Sequence, residues 1–250
     1  MSLLQLARRG LLAGAGFSQG RCVHCLAPYD KADLPSGART LLLCPECLER
    51  LRPYAESACA SCGRPVTPNS LGHDGRLQCE DCRNDPPPWR GAVFYGLHKG
   101  ALKDLILRLK FDGDFAVAPL LADFLLSVCK SLPRPDAVAP VPLHPARMRE
   151  RGYNQAGEIA KAFSRKCRIP CEPALLSRVR QGSPQEGLTA SQRRENLRGA
   201  LAGSPAAKGR AIWIIDDVLT TGSTCREAAL ALRRAGAKEV RVAFIARANS

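Results

Sequence analysis

The stretch Ile212-Trp213-Ile214-Ile215-Asp216-Asp217-Val218-Leu219-Thr220-Thr221-Gly222-Ser223-Thr224 runs from an apolar segment through two carboxylates into a hydroxyl-rich turn. The run Ala211–Ile215 is apolar throughout, which predicts a strand buried on both faces. Thr221 to Ala235 predicts a helix that Gly236 stops. In a parallel sheet this order sets the acids and the turn at the carboxyl end of a strand, where ligands bind. Backbone N–H groups, Thr and Ser hydroxyls and a helix N-terminus together suit a phosphate. The two acids suit ribose hydroxyls, or a Mg²⁺ held near them, and Gly222 lets the backbone come close. Asp and Thr capping a helix is the bland alternative. Two adjacent acids followed by Thr-Thr-Gly-Ser-Thr, between strand and helix, favour phosphate binding. No Gly-x-x-x-x-Gly-Lys-[Ser/Thr] run occurs, so this is not a P-loop.

Outward from this motif the pattern alternates. Ala92–Tyr95, Ala137–Val141 and Val240–Ile245 read as further strands. Leu102, Leu105, Ile106 and Leu109 share one helical face, Val117 to Val128 make a second helix, and Asn154 to Lys166 a third. The expected fold class is α/β, a largely parallel sheet with helices on both faces. Residues 178–198 are rich in charge and poor in apolar periodicity, and read as a mobile loop with some helix near 190–196.

The chain has 250 residues, 45% hydrophobic and 24% charged, ordinary for globular protein. It has no apolar run of about 18 residues, so no membrane-spanning helix is expected. The Leu3–Leu12 region reads as an amphipathic start rather than a signal peptide, and a cytoplasmic location is expected. Aromatics are 5%, which argues against a surface built mainly for base stacking. The formal net charge of +14 is uneven: residues 1–90 carry +2, residues 91–250 carry +12, and residues 144–200 alone carry +7. Such a field attracts anions, from phosphorylated small molecules to nucleic acid.

Eight of the 12 cysteines form four Cys-x-x-Cys pairs: Cys22/Cys25, Cys44/Cys47, Cys59/Cys62 and Cys79/Cys82. Gaps of 18 and 16 residues separate the first from the second and the third from the fourth. A two-residue spacer sets two thiolates on one tetrahedral edge, so the pattern predicts two four-cysteine structural zinc sites, paired in sequence order. Disulfides and an iron–sulfur cluster are the alternatives; regular pairs favour metal over the first and the wide spacing over the second. Pro86-Pro87-Pro88 is a stiff connector, giving an expected division into a zinc-binding region, 1–88, and an α/β domain, 89–250. His98 and His144 are possible bases, though a lone His is more often structural. Cys225 reads as a small buried side chain.

The Asp-Asp-to-Thr motif resembles the phosphoribosyl pyrophosphate (PRPP) signature of type I phosphoribosyltransferases. Pro140–Ala156, with its Arg151-Gly152-Tyr153-Asn154-Gln155 block, is similar to the ComF/GntX family (competence protein F). So are Leu188–Ala200, Leu109-Lys110-Phe111-x-Gly113 and the cysteine pairs. The resemblance spans nearly the whole chain. It implies that Asp216 and Asp217 contact the ribose hydroxyls and that Thr220, Thr221, Gly222, Ser223 and Thr224 hold the 5′-phosphate. It also implies that Lys110 and Arg147 help bind PRPP and that Arg151 joins the two acids as a catalytic residue. The loop carrying Arg193, Arg194 and Asn196 would close over the ligand, with Mg²⁺ sharing the neutralisation of pyrophosphate. A role in DNA uptake follows from the same resemblance, through phosphoribosyl transfer or through binding single-stranded DNA or an uptake protein on the same fold. Few aromatics lie near the basic segment in sequence, so stacking is expected to add little.

Overall fold

The computed structural model describes residues 19–35, 42–72, 74–180 and 197–248. Contacts divide the chain into two compact units, Met1–Arg52 and Pro53–Ser250. In the first, strands β1 (Gln19–Arg21) and β2 (Pro28–Asp30) pair antiparallel, and a short helix, α1 (Pro45–Arg50), follows Cys44. The leucines at 3–12 and His73 lie outside the described residues.

The second unit opens with helix α2 (Glu80–Asn84) and then builds a four-stranded sheet. Strands β3 (Ala92–Leu97), β4 (Ala137–Pro140), β7 (Ala211–Leu219) and β8 (Glu239–Arg247) stand in the order β3-β8-β7-β4, all parallel. The inner strands β7 and β8 are largely buried on both faces because helices cover both, while β3 at the edge is half-buried. Ile212 and Ile214 of β7, with Val242 and Phe244 of β8, pack with Ala228 and Leu232 of α7 (Ser223–Arg234). Their neighbours Trp213 and Ile215 face the other way, where α6 (Gln155–Cys167) brings Phe163 to 6.3 Å from the Trp213 ring. Helix α4 (Val117–Cys129) stacks Phe124 on Tyr95 of β3 at 4.2 Å, and α3 (Gly100–Phe111) precedes it. This is the parallel α/β architecture expected from the alternating pattern.

Three features depart from the sequence reading in detail. β7 continues past the two acids to Leu219, because Val218 and Leu219 keep pairing with Ala246 and Arg247. A helix absent from the sequence reading, α5 (Pro145–Arg151), follows β4, with Pro145 at its first position and the His144 ring accepting from the Ala146 N–H at 3.2 Å. A small antiparallel hairpin, β5 (Leu176–Arg178) and β6 (Leu201–Gly203), closes the ends of the 178–198 segment. Of that segment, residues 181–196, which include Arg193, Arg194 and Asn196, lie outside the described residues.

Candidate functional site

β4 and β7 are adjacent and parallel, so their carboxyl ends open on the same edge of the sheet. A cleft of about 600 Å³ lies there. Asp216, Asp217, Thr220 and Thr224 line it from the β7 side, Val141 to Arg147 from the β4 side, and Lys110 and His98 from the α3 side. Residues separated by more than a hundred positions are thus gathered at the topological position where open α/β sheets bind ligands.

The two carboxylates differ in setting. Asp217 is 4% exposed. Its carboxylate meets the Lys110 ammonium at 3.7 Å and accepts from the Gln155 amide at 3.4 Å. Asp216 accepts the Asp217 backbone N–H at 2.9 Å, and the Cys225 thiol reaches its other oxygen at 3.7 Å. Burial, and then the Asp217 charge, push the Asp216 carboxyl well above the ordinary carboxylate range. A pair held this way favours a ligand bringing hydroxyl donors or a cation.

The Arg-Gly-Tyr-Asn-Gln block now has a physical account. Gly152 ends α5 in the left-handed region at φ 77°. Tyr153 donates its hydroxyl to the Leu109 carbonyl at 2.5 Å. Asn154 caps α6 through the Ala156 N–H and donates to the Val141 carbonyl at 2.9 Å, which ties the helix to the end of β4. Gln155 then reaches Asp217. Gln155 was not singled out from sequence; its position directly after a capping Asn, inside a polar block opening an apolar helix, was the available signal.

After β7 the chain turns through Thr220, Thr221 and Gly222 into α7. Gly222 has φ 76°, a conformation that costs other residues about 1–2 kcal/mol. The Thr221 and Ser223 hydroxyls lie 2.9 Å apart, and the Ser223 N–H donates to Thr221 at 3.4 Å. A hollow of about 50 Å³ inside this turn is lined by residues 218–225, Asp216 and Leu197. It has the hydroxyls and helix N-terminus that suit one phosphate group.

Around the acids the cations are unevenly placed. Arg147 lines the cleft, and so does Arg178, the first residue of the charged segment 178–198. Arg178 Nε is buried without a partner among the described residues, and burial lowers the pKa of its guanidinium. Arg151, expected beside the two acids, does not line the cleft; its guanidinium lies 4.9 Å from the Phe111 ring centroid and donates at 3.2 Å to Gln155, which does. Burial, then Lys110 and Lys103, lower the His98 pKa, so a neutral imidazole lines the cleft at neutral pH.

The eight paired cysteines fall into two groups, Cys22/Cys25/Cys44/Cys47 and Cys59/Cys62/Cys79/Cys82, each with its sulfurs within 4.8 Å of one another. The pairing follows sequence order, as the gaps implied. Both groups are built alike. A knuckle supplies the first two thiols, closed by Leu26 N–H to Cys22 and Gly63 N–H to Cys59, and the residue after each knuckle has positive φ. The third thiol precedes a short helix, α1 or α2, and the fourth lies one turn inside it. Cys25–Cys44 and Cys62–Cys79 are each 3.7 Å apart. A tetrahedral ion with Zn–S of about 2.3 Å sets sulfurs about 3.8 Å apart, so both groups fit zinc. Hydrogen bonds from Cys62 and Cys82 pull Cys59 far below the thiol range, and its thiolate pushes Cys62 up to about 12. The second group belongs to the same compact unit as the sheet, and Gly63 packs so closely that a Cβ there would meet Phe94 at 2.7 Å. The remaining cysteines join neither group; burial pushes Cys129 up to about 12 and Cys225 well above its ordinary range.

A parallel sheet bearing an acid pair and a hydroxyl turn at its carboxyl edge is the arrangement of a phosphoribosyltransferase domain, and the phosphoribosyl transferase domain family model matches residues 149–250. The chain is 32% identical over 241 residues to competence protein F of Haemophilus influenzae, covering 93% of this chain and 99% of that one. It belongs to the competence protein F family. It is also 33% identical to the DNA utilization protein YhgH of Escherichia coli K12, over 75% of this chain and 82% of that one. A solved allosteric regulatory enzyme of purine biosynthesis aligns with 52% of this chain and 25% of its own at 23% identity, with a TM-score of 0.37, too distant to carry weight beside the sequence relatives. Among the described residues no helix is long and apolar enough to cross a membrane.

Proposed function

We propose that this protein binds PRPP with Mg²⁺ in the cleft at the carboxyl ends of β4 and β7 and transfers its phosphoribosyl group, in a process connected with the use of DNA. The observation that carries this reading is the convergence of Asp216, Asp217, Thr220 and Thr224 on one cleft, with the rest of the turn lining the small hollow beside Asp216. Asp216 and Asp217 accept the ribose 2′- and 3′-hydroxyls, and the turn donates to the 5′-phosphate. Lys110, Arg147 and Arg178 offer positive charge to the pyrophosphate as its bond to C1′ breaks and an acceptor nucleophile takes its place. Arg151 steadies Gln155, and so Asp217, from the rim, while His98 is available to take a proton from the acceptor. Mg²⁺ fits the acid pair, whose crowding it would relieve, and when bound it would add charge neutralisation at the pyrophosphate. Arg193, Arg194 and Asn196 are proposed for a loop closing over the ligand. The cysteine groups are proposed as two closed structural zinc sites within a zinc-binding region at 1–88, preceding the transferase-like domain at 89–250.

A second reading, binding of single-stranded DNA or of an uptake protein on the same fold, draws support from charge. Residues 144–200 carry a net +7, more than one pyrophosphate needs, and the curated relatives bear names tied to competence and DNA utilization. The test is pyrophosphate release from PRPP and Mg²⁺ in the presence of a panel of bases. Release that depends on one base supports transfer; PRPP binding with no release under any base leaves PRPP as a ligand of the second reading.

A further inference from the structure

Outside the cleft, the turn between α3 and α4 presents an aromatic cluster that the proposed transfer does not use. Phe111 ends α3 and is 63% exposed, and Phe115 is 51% exposed. The other described phenylalanines are buried or half-buried. Tyr153 meets Phe115 edge to face at 4.9 Å and is fixed by its hydrogen bond to Leu109. The turn itself is rigid: Gly113 takes φ 65°, and Asp114 pairs with Arg108 at 2.5 Å while accepting the Ala116 N–H. Two large rings are therefore held outward by an ordered backbone, at the expense of exposing apolar surface that a fold alone would bury.

The rings do not stand in an apolar patch. Arg151 lies 4.9 Å from the Phe111 centroid and the Lys110 ammonium 5.8 Å. Lys110 also pairs with Asp217, so adjacent residues of α3 serve the cleft and the aromatic surface respectively. Aromatic faces flanked by cations are the chemistry that receives unpaired bases while holding the backbone phosphates beside them. A protein partner recognising bare phenylalanines would gain little from two flanking cations that must then be desolvated.

We propose that Phe111, Phe115 and Tyr153, with Arg151 and Lys110 at their side, form a stacking platform for the bases of single-stranded DNA passing the mouth of the cleft. This rests on the reading that the protein handles single-stranded DNA. It departs from the expectation that stacking contributes little: Tyr153 is distant in sequence from Phe111 and Phe115 and joins Phe115 only in the fold.

The test is fluorescence anisotropy with a labelled oligothymidylate of about 20 nucleotides and with an abasic strand of equal length, across a salt series. Stacking is worth a factor of about five to a hundred per base. Phe111→Ala with Phe115→Ala should weaken oligothymidylate binding within that range and leave the salt slope unchanged, because no phosphate contact is removed. The abasic strand should bind wild type as weakly as the thymidylate binds the double variant, and that variant should gain nothing from bases. Phe→Trp at both positions should restore binding and Phe→Leu should not. An unchanged melting temperature certifies the fold. Undiminished thymidylate binding by the alanine variant, or full rescue by leucine, overturns the platform and leaves DNA binding intact. No binding by wild type at low salt overturns both the platform and the DNA reading.

Discussion

Arg247, in the last strand and 3% exposed, donates Nη1 to the Leu219 carbonyl at 2.7 Å and also to the carbonyls of Thr220 and Ala248. It shares a cavity of about 290 Å³ with Cys62, Cys79 and Gly222, where Trp89 donates to the Ser61 carbonyl at 2.6 Å. The start of the Thr220–Thr224 turn and the second cysteine group are thus joined by buried side chains. Arg247→Met should take one donor from each of these carbonyls; Leu219 keeps the Ala248 N–H at 3.0 Å, so a cost of about 1–3 kcal/mol falls only on those left buried with no other partner. The expected result is a melting temperature lower by several degrees and PRPP affinity reduced at least several-fold. An intact affinity in a folded variant would separate the clamp from the site.

The same joint predicts unequal effects of the two cysteine groups. Metal analysis of purified protein should give close to two zinc ions per chain, and a value near zero in folded protein would exclude structural zinc. Cys79→Ser should lower PRPP affinity along with the zinc content, because its group adjoins the turn. Cys44→Ser should remove one zinc and loosen its own unit while PRPP affinity stays near wild type, since metal sites act locally on folding. Equal losses of affinity in both variants would contradict this.

Asp216 sets a pH dependence whose sign is fixed by its raised pKa. The folded state holds the proton more tightly than the unfolded chain. Its stabilisation is therefore complete below the ordinary carboxylate value and is lost as pH rises toward the folded value. Asp216→Asn, neutral throughout, keeps the oxygen that accepts the Asp217 N–H. Its melting temperature without ligand should equal wild type near pH 4 and exceed it at pH 8, by roughly 2–4 °C for each kcal/mol recovered. A variant less stable than wild type at pH 8 would mean that the carboxylate is held favourably without ligand.

Much of this was legible from local pattern. The apolar runs of β7 and β8 and the faces of α3 and α4 read correctly because both faces of a parallel sheet are covered, which leaves strands continuously apolar. The cysteine grouping followed from spacing alone. What stayed hidden depends on tertiary approach. Gln155 acquires its role only when Asn154 ties α6 to Val141; Arg247 looks like the polar end of a strand until its guanidinium is seen under Leu219 and Thr220. Phe115 and Tyr153 read as separate residues until the fold sets their rings edge to face. α5 was missed because a seven-residue helix started by Pro and a His cap has no apolar stripe to announce it.

Asp216 and Asp217 are proposed to form the ribose end of a PRPP site. Titration calorimetry with PRPP and Mg²⁺ on wild type and on Asp216→Asn/Asp217→Asn tests it directly. The account predicts one PRPP per chain for wild type and affinity at least tenfold weaker in a double variant that melts no lower. Equal affinity in the two proteins, or no heat of binding in wild type, would contradict it.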